Sequence, residues 1–397
     1  MMHAHSPRPS AISLPRLFAK FLRFGMLAFG GPVAQIAMIR QALVEEEGWI
    51  PGSRFNRLLA VMQVLPGPEA HELCVHMGMV ARGRIGGVLA GLGFMLPGFL
   101  LMLLCAWAYA AFIAGDAQLA GVLLGVQAAV LAIILRAVHR IGSHILVDRT
   151  LVGLAILGLL GTLAGVPFWV LLAATGAAHA LLRRPVAILG SVLLVAVAAW
   201  IVIQSRGAPD AAVLTHVAAP AGVLALFVAG LKGGLLTFGG AYTAIPYVRE
   251  DTVGRGWLAD GAFLDGVALA GLLPAPLVIF ATFAGYLAGG LAGALAITAG
   301  MFLPAFAFSL LFFERLEALV DNPTLHRVLD GVAAMVVGII AATFLELGAS
   351  TLERAPRLLP VVAIFVVAAL VSWRLKGRWL PLALVGFGGA AGWLALS

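Results

Sequence analysis

A handful of polar residues stand inside long apolar runs, and they set the chemistry this chain can perform. Arg40 and Arg249 each follow a Phe-Gly-Gly at the same distance. The planar donor fork of a guanidinium matches an oxyanion, although an arginine at this depth also marks a membrane interface. Lys232 lies in an apolar run; a charge there is costly and points to a ligand, unless its stem snorkels to the surface. Glu69 follows Pro68 in Leu-Pro-Gly-Pro-Glu-Ala. It is either a cap on a helix N-terminus or, beside a bound dianion, a group that must take up a proton. Glu69 and His71 are therefore the proton-coupling candidates. His71, Glu72 and His76 read H-E-x-x-x-H, one residue too long to place both histidines on one helix face as zinc proteases do. No metal or cofactor is expected.

Glycine–proline breaks accompany these residues. Phe29-Gly30-Gly31-Pro32 and Phe238-Gly239-Gly240 interrupt one span in each half. Two glycines relax the backbone, and proline suits the first turn of a restarted helix. Pro66-Gly67-Pro68 and Pro274-Ala275-Pro276 interrupt the next span, since proline lacks the donor that an inner helical turn requires. Each restart exposes unpaired N–H groups and a partial positive charge, a setting that binds anions. A single break of this kind reads more readily as a packing kink. Four in matching places point to a site made by these glycines and prolines with Arg40, Arg249 and Lys232.

These motifs belong to an internal repeat. Phe29, Gly30, Gly31 and Arg40 recur 209 residues later; Trp49, Phe55, Leu65, Pro66 and Pro68 recur at 208; Gly78, Gly83, Gly86, Leu96 and Pro97 recur at 207. Lys232 has no counterpart in this alignment. Seven apolar segments separate the two starts. An odd number makes the second copy enter from the opposite side, as in many secondary transporters.

The elements that carry these residues are membrane helices. Hydrophobic residues make up 62% of the 397 and charged residues 11%, and mean hydropathy is +1.06. A soluble domain would expose too much apolar surface, and the uncharged runs approach the roughly 20 residues that span a bilayer as a helix. The expected fold is an all-α integral membrane protein with about 13 transmembrane segments, in two inverted homologous repeats with discontinuous helices. The expected organisation is a disordered tail over 1–17, a first repeat over 18–184, a connecting span and loop over 185–216, and a second repeat over 217–397. With a cytoplasmic N-terminus, 18 of the 25 Lys and Arg fall in inner loops, the positive-inside bias. The net charge of +7 is thus a topology signal and not one for nucleic acid. Cys74 and Cys105 lie far apart in apolar surroundings and read as small buried residues.

At FGGP from Phe29, the Glu46–Trp49 loop, LPGPEA from Leu65, the glycine spacing of Gly78, Gly83 and Gly86, and FMLP from Phe94, the chain resembles the chromate ion transporter family in its long, two-domain form. FGGAYTAIPYV from Phe238 and FLP from Phe302 match in the second copy. Ala275 departs from the family's usual glycine, and Met79 from a common aromatic. The resemblance implies a bacterial inner-membrane antiporter that exports chromate on the proton gradient and gives chromate resistance, with sulfate as the structural analogue. Besides substrate and bilayer, homodimerisation is the partner expectation. The competing readings are a transporter of sulfate or another oxyanion, a passive anion channel, and a membrane enzyme built on His71, Glu72 and His76.

Overall fold

The computed structural model describes residues 12–29, 31–62, 65–113, 117–166, 170–171, 190, 192–201, 221–237, 241–311, 323–375 and 380–396. Among the described residues the regular structure is helical and contains no strand. In the first half lie α1 (Leu14–Met26), α2 (Gly31–Arg40), α3 (Gly52–Met62), α4 (Glu69–Ala108), α5 (Ala117–Ile145) and α6 (Arg149–Leu163). A short helix, α7 (Val192–Ile201), precedes the second half. There follow α8 (Val223–Leu235), α9 (Ala244–Thr252), α10 (Asp260–Leu272), α11 (Phe280–Leu311), α12 (Pro323–Glu353), α13 (Leu358–Arg374) and α14 (Leu380–Leu396). Four helical stretches are long and apolar enough to cross a bilayer: Glu69–Ile113, Leu119–Ser143, Leu277–Leu311 and Asp330–Glu353. With this composition the molecule is an all-α, multi-pass membrane protein.

Helix α1 shows how sequence becomes structure. Leu17, Phe21 and Phe24 recur at helical spacing and are buried, whereas Arg16 and Arg23 face outward. Pro15 sits in its first turn, where no N–H partner is missed. The helix starts at Leu14, so the expected tail ends before residue 17. The Glu-rich stretch after α2 is a π-helical turn, Gln41–Glu46, and not a plain loop. Glu47 beyond it accepts from the Trp49 indole at 2.9 Å and pairs with Lys20.

The repeat extends to backbone conformation. As one straight helix α4 would run about 60 Å, twice the hydrocarbon core, but it reverses within two residues. Arg82 has φ −143°, ψ 28° and Gly83 φ 62°, ψ −157°. In α11, Gly289 has φ −150°, ψ 23° and Gly290 φ 61°, ψ −154°. Only glycine adopts the second conformation readily. The arms then pack face to face on glycine: a β-carbon at Gly78 would stand 2.4 Å from the Gly86 carbonyl oxygen, and one at Gly285 2.6 Å from that of Gly293. The repeated glycine spacing therefore encodes a helical hairpin, with the middle glycine turning and the outer two touching.

The longer second arms of α4 and α11 pack together. A β-carbon at Gly87 would lie 3.0 Å from Leu310, and one at Gly91 2.4 Å from the Phe306 ring. Residue numbers rise on one arm as they fall on the other, so these equivalent helices run antiparallel. Against each second arm lies the first helix of its own copy, with Gly25 of α1 at Phe94 and Gly230 of α8 at Ile297.

Candidate functional site

The four breaks meet in pairs across the repeats. Gln35, buried in α2, donates through Nε2 to the Ala28 carbonyl at 2.8 Å and to the Ala275 carbonyl at 3.0 Å. It thus ties the first Phe-Gly-Gly break to the second copy's Pro-Ala-Pro. The Gly67 N–H donates to the Thr237 carbonyl at 2.8 Å, tying the first copy's Pro-Gly-Pro to the second Phe-Gly-Gly break. Both contacts join a Phe-Gly-Gly break to the other copy's Pro-x-Pro, although the bonds differ: Gln35 bridges two carbonyls, whereas Gly67 bonds backbone to backbone. The methyl of Ala275 is received opposite Gly98, where a β-carbon would stand 2.2 Å from it. Gly67 in its turn faces the methyl of Ala305, which occupies the position equivalent to Gly98. Each contact pairs one glycine with one alanine, so the alanine in Pro-Ala-Pro is matched by a glycine across the interface.

Helix α5 runs past this junction. Along it Gln127, Val130, Ile133, Arg136 and Arg140 follow at steps of three and four, a track that drifts around the helix so that Arg136 stands about half a turn from Gln127. At one end an open cavity of about 580 Å³ is lined by Tyr109, Gln127, Asp260, Asp265, Ser350 and Arg354. There Asp265 accepts from the Tyr109 hydroxyl and the Gln127 amide, each at 2.8 Å. In the middle a cavity of about 60 Å³ is bounded by Pro32, Val130, Ile133, Tyr242, Ala275 and Leu277. At the other end Arg136 and Arg140 lie within electrostatic range of Tyr242, and Arg140 within range of Glu69. Successive stretches of α5 therefore border a polar cavity, the junction of the breaks, and two cations.

The residues singled out in the sequence fall into three groups. Pro32, Pro66, Gly67, Pro68, Pro274 and Pro276 lie at the breaks, with Gly31 opening α2 and Pro68 preceding α4. Gly30, Gly239 and Gly240 lie outside the described residues. The cations Arg40, Arg249 and Lys232 are engaged elsewhere. Arg40 is exposed, 3.2 Å from Glu45 and 3.3 Å from the Asn56 side chain. Arg249 grips both Asp260 oxygens, at 2.7 and 3.0 Å, and Glu346 at 2.6 Å. It ties α9 to α10 and α12 with its fork occupied. Lys232 pairs with Asp251 at 2.9 Å. At the offset of 209, Arg23 is its counterpart after all, and both stand in the last turn of their helices.

The path of the chain at the Phe-Gly-Gly breaks also differs from an interrupted span. A straight helix would set Asp251 roughly 28 Å from Lys232, yet the two are paired. In the first copy Lys20 pairs with Glu47, and the Phe21 and Trp49 rings meet at 6.3 Å. At these breaks the restarted helix folds back beside the first. A glycine pair frees the backbone without fixing the bend, and packing sets it.

His71 and Glu72 are both fully buried, and His71 stands edge-on to Phe302 and Phe306 at 5.0 and 4.7 Å. No group of three or more His, Cys, Asp or Glu suited to holding a metal occurs among the described residues. Gln35, Asp265, Arg136 and Arg140 were not among the sequence candidates. The available signals were an acid in the apolar run around Asp265, and the polar Gln127, Arg136 and Arg140 along one apolar stretch.

Comparison with known proteins places these features. A family profile described as Chromate transporter matches residues 15–182 and 224–393, one match per repeat. A chromate transport protein of Pseudomonas aeruginosa is 57% identical over 97% of this chain and 93% of its own. A probable chromate transport protein of Synechococcus elongatus is 32% identical over 96% of this chain and 94% of its own. A chromate transport protein of Cupriavidus metallidurans is 30% identical over 91% and 89%. No solved structure matches the chain.

Proposed function

Because this chain belongs to the chromate transporter family, we propose that it is a secondary transporter carrying chromate out of the cytoplasm in exchange for protons, and so giving chromate resistance. The family is one of transporters and not of enzymes. The observation that carries the reading is the pairwise meeting of the four breaks between repeats, through Gln35 to Ala275 and Gly67 to Thr237. Irregular backbone at membrane depth is tolerated where it lines a cavity or is buried in protein, and a site between two halves is what alternating access needs.

The halves are inverted in this reading, and the antiparallel packing of the second arms of α4 and α11 supports it. The N-terminus is cytoplasmic and the membrane is the bacterial inner membrane, a reading supported by the positive charge of the Arg82–Arg84 turn and of the Arg136–Arg140 stretch of α5 under the positive-inside rule. The tetrahedral dianion passes along α5. Arg136 and Arg140 attract it, the restarted helix ends at Pro32 and Pro68 hold it, and the polar cavity at Asp265 and Gln127 lies on the far side. Glu69, within range of Arg140, takes up the proton as the dianion approaches.

Sulfate has the same shape and charge and is the second candidate substrate. Flux into proteoliposomes, compared for chromate, sulfate, molybdate and phosphate with and without an imposed pH gradient, tests both. Chromate accumulation driven by the gradient is expected, with Glu69→Gln abolishing the drive. Transport that only dissipates a chromate gradient would make the protein a channel, and sulfate preferred over chromate would change the substrate.

A further inference from the structure

Beyond Glu69 stands a second carboxylate that the transport reading does not use. Glu72 is fully buried in the first arm of α4, and neither carboxylate oxygen has a hydrogen-bonding partner among the described residues. Its Oε1 is pressed against the Pro-Gly-Pro break: a β-carbon at Gly67 would stand 2.5 Å from it. That same Gly67 donates its N–H to Thr237 of the other repeat. Glu72 therefore touches a residue through which this break is joined to the opposite half.

We propose that Glu72 is the proton-carrying group that sets this contact between the repeats, receiving its proton from Glu69. The proposal rests on the proton-coupled transport reading. Glu69 and Glu72 are neighbours one helical turn apart, and Glu69 is the one within range of Arg140. The Glu69 acid gives its proton to the Glu72 carboxylate, so Glu69 returns to the carboxylate as the Glu72 acid forms, and nothing else changes charge. The neutral acid fits the closed packing beside Gly67. An ionised carboxylate without a cation or water would cost several kcal/mol there, so its formation must loosen the Pro-Gly-Pro break and the Gly67–Thr237 bond with it.

Among the described residues, the groups around Glu72 leave it without a counter-charge. On its own helix the titratable neighbours are Glu69, His71 and His76. From α11 the Ser309 hydroxyl reaches only the Glu72 backbone carbonyl, at 3.4 Å, and the residues against His71 are Phe94, Phe302 and Phe306. In the second copy the matching stretch, 277–284, reads LVIFATFA and holds no ionisable side chain. The device exists in one half alone, which gives an otherwise symmetric junction a single proton-sensitive side.

The test uses the full chain in proteoliposomes, with chromate as the probe and two readouts: accumulation driven by a pH gradient, and chromate–chromate exchange at equal pH. For Glu72→Gln, accumulation is expected to fall at least about tenfold while exchange stays within about twofold of wild type. Accumulation at the wild-type rate would overturn the assignment to Glu72, and so would a parallel loss of both readouts in protein that elutes as a folded species. A wild-type protein that ignores the pH gradient would instead overturn the proton-coupled reading, and the relay with it. Should Glu72→Gln fail to fold, Glu72→Asp keeps the acid but withdraws it from Gly67. It is expected to slow accumulation alone, and an unchanged rate would refute the proposal.

Discussion

Gly98→Ala tests the junction most directly. The new β-carbon would stand 2.2 Å from that of Ala275 and close to the Pro274 carbonyl, 3.3 Å away. Non-bonded carbons settle at about 3.5–4.0 Å, so the two backbones must part by roughly 1.5 Å. Overpacking of this kind costs about 1–3 kcal/mol. It would also move the Ala275 carbonyl away from Gln35, whose amide reaches it at 3.0 Å. The expected outcome is a lower midpoint for thermal loss of the monodisperse peak in detergent, with slower chromate flux per folded molecule. Ala275→Gly removes the opposing methyl and should rescue the double variant, with a coupling energy of about 1–2 kcal/mol. The pseudo-symmetric pair should behave differently. At Gly67 a β-carbon meets Glu72 Oε1 at 2.5 Å as well as Ala305 at 3.2 Å, and φ is +146°. Ala305→Gly should therefore fail to rescue Gly67→Ala. Equal stability of Gly98→Ala and wild type, or no rescue by Ala275→Gly, would refute the account of the junction.

Arg249→Gln leaves Asp260 and Glu346 facing each other without their cation; because the cluster is partly solvated, a stability loss on the order of 1–3 kcal/mol is expected, read by thermal unfolding. Chromate affinity of the surviving folded protein should be unchanged, and a selective loss of affinity would return Arg249 to the substrate site. Arg136→Gln with Arg140→Gln should raise the chromate KM at least about tenfold with little effect on folding; an unchanged KM would remove α5 from the anion path. Cysteine-accessibility labelling should place the Arg82–Arg84 turn in the cytoplasm and the Tyr286–Gly290 turn outside, and finding both on one side would end the inverted-repeat reading.

Composition and local pattern carried much of this protein on their own. Helical membrane segments follow from apolar runs that must satisfy their backbone internally. The repeat is legible because Trp, Arg and proline recur in order, and the breaks because Gly-Gly and Pro-x-Pro act on their own backbone. The spacing of Gly78, Gly83 and Gly86 was visible as a motif, yet its meaning as a hairpin required the Arg82–Gly83 reversal. Arg40 and Arg249 stand out in the sequence because both follow a break in matching places, and Lys232 because a charge in an apolar run seeks a ligand. Carboxylates distant in sequence, such as Glu346 for Arg249, supply that ligand, and periodicity holds no information about them.

Tertiary structure alone decided which break meets which. Gln35 and Ala275 are 240 residues apart, and only the antiparallel packing of the second arms of α4 and α11 brings them together. It also decided that Arg136 and Arg140, which read from sequence as loop charges, belong to the same helix as Gln127, running past the junction. Glu72 sits in a stretch whose spacing argued only against zinc. Its burial against Gly67 comes from the fold of the Pro-Gly-Pro break. Local backbone chemistry fixes where this chain bends, and side-chain packing between the two halves fixes what each bend faces.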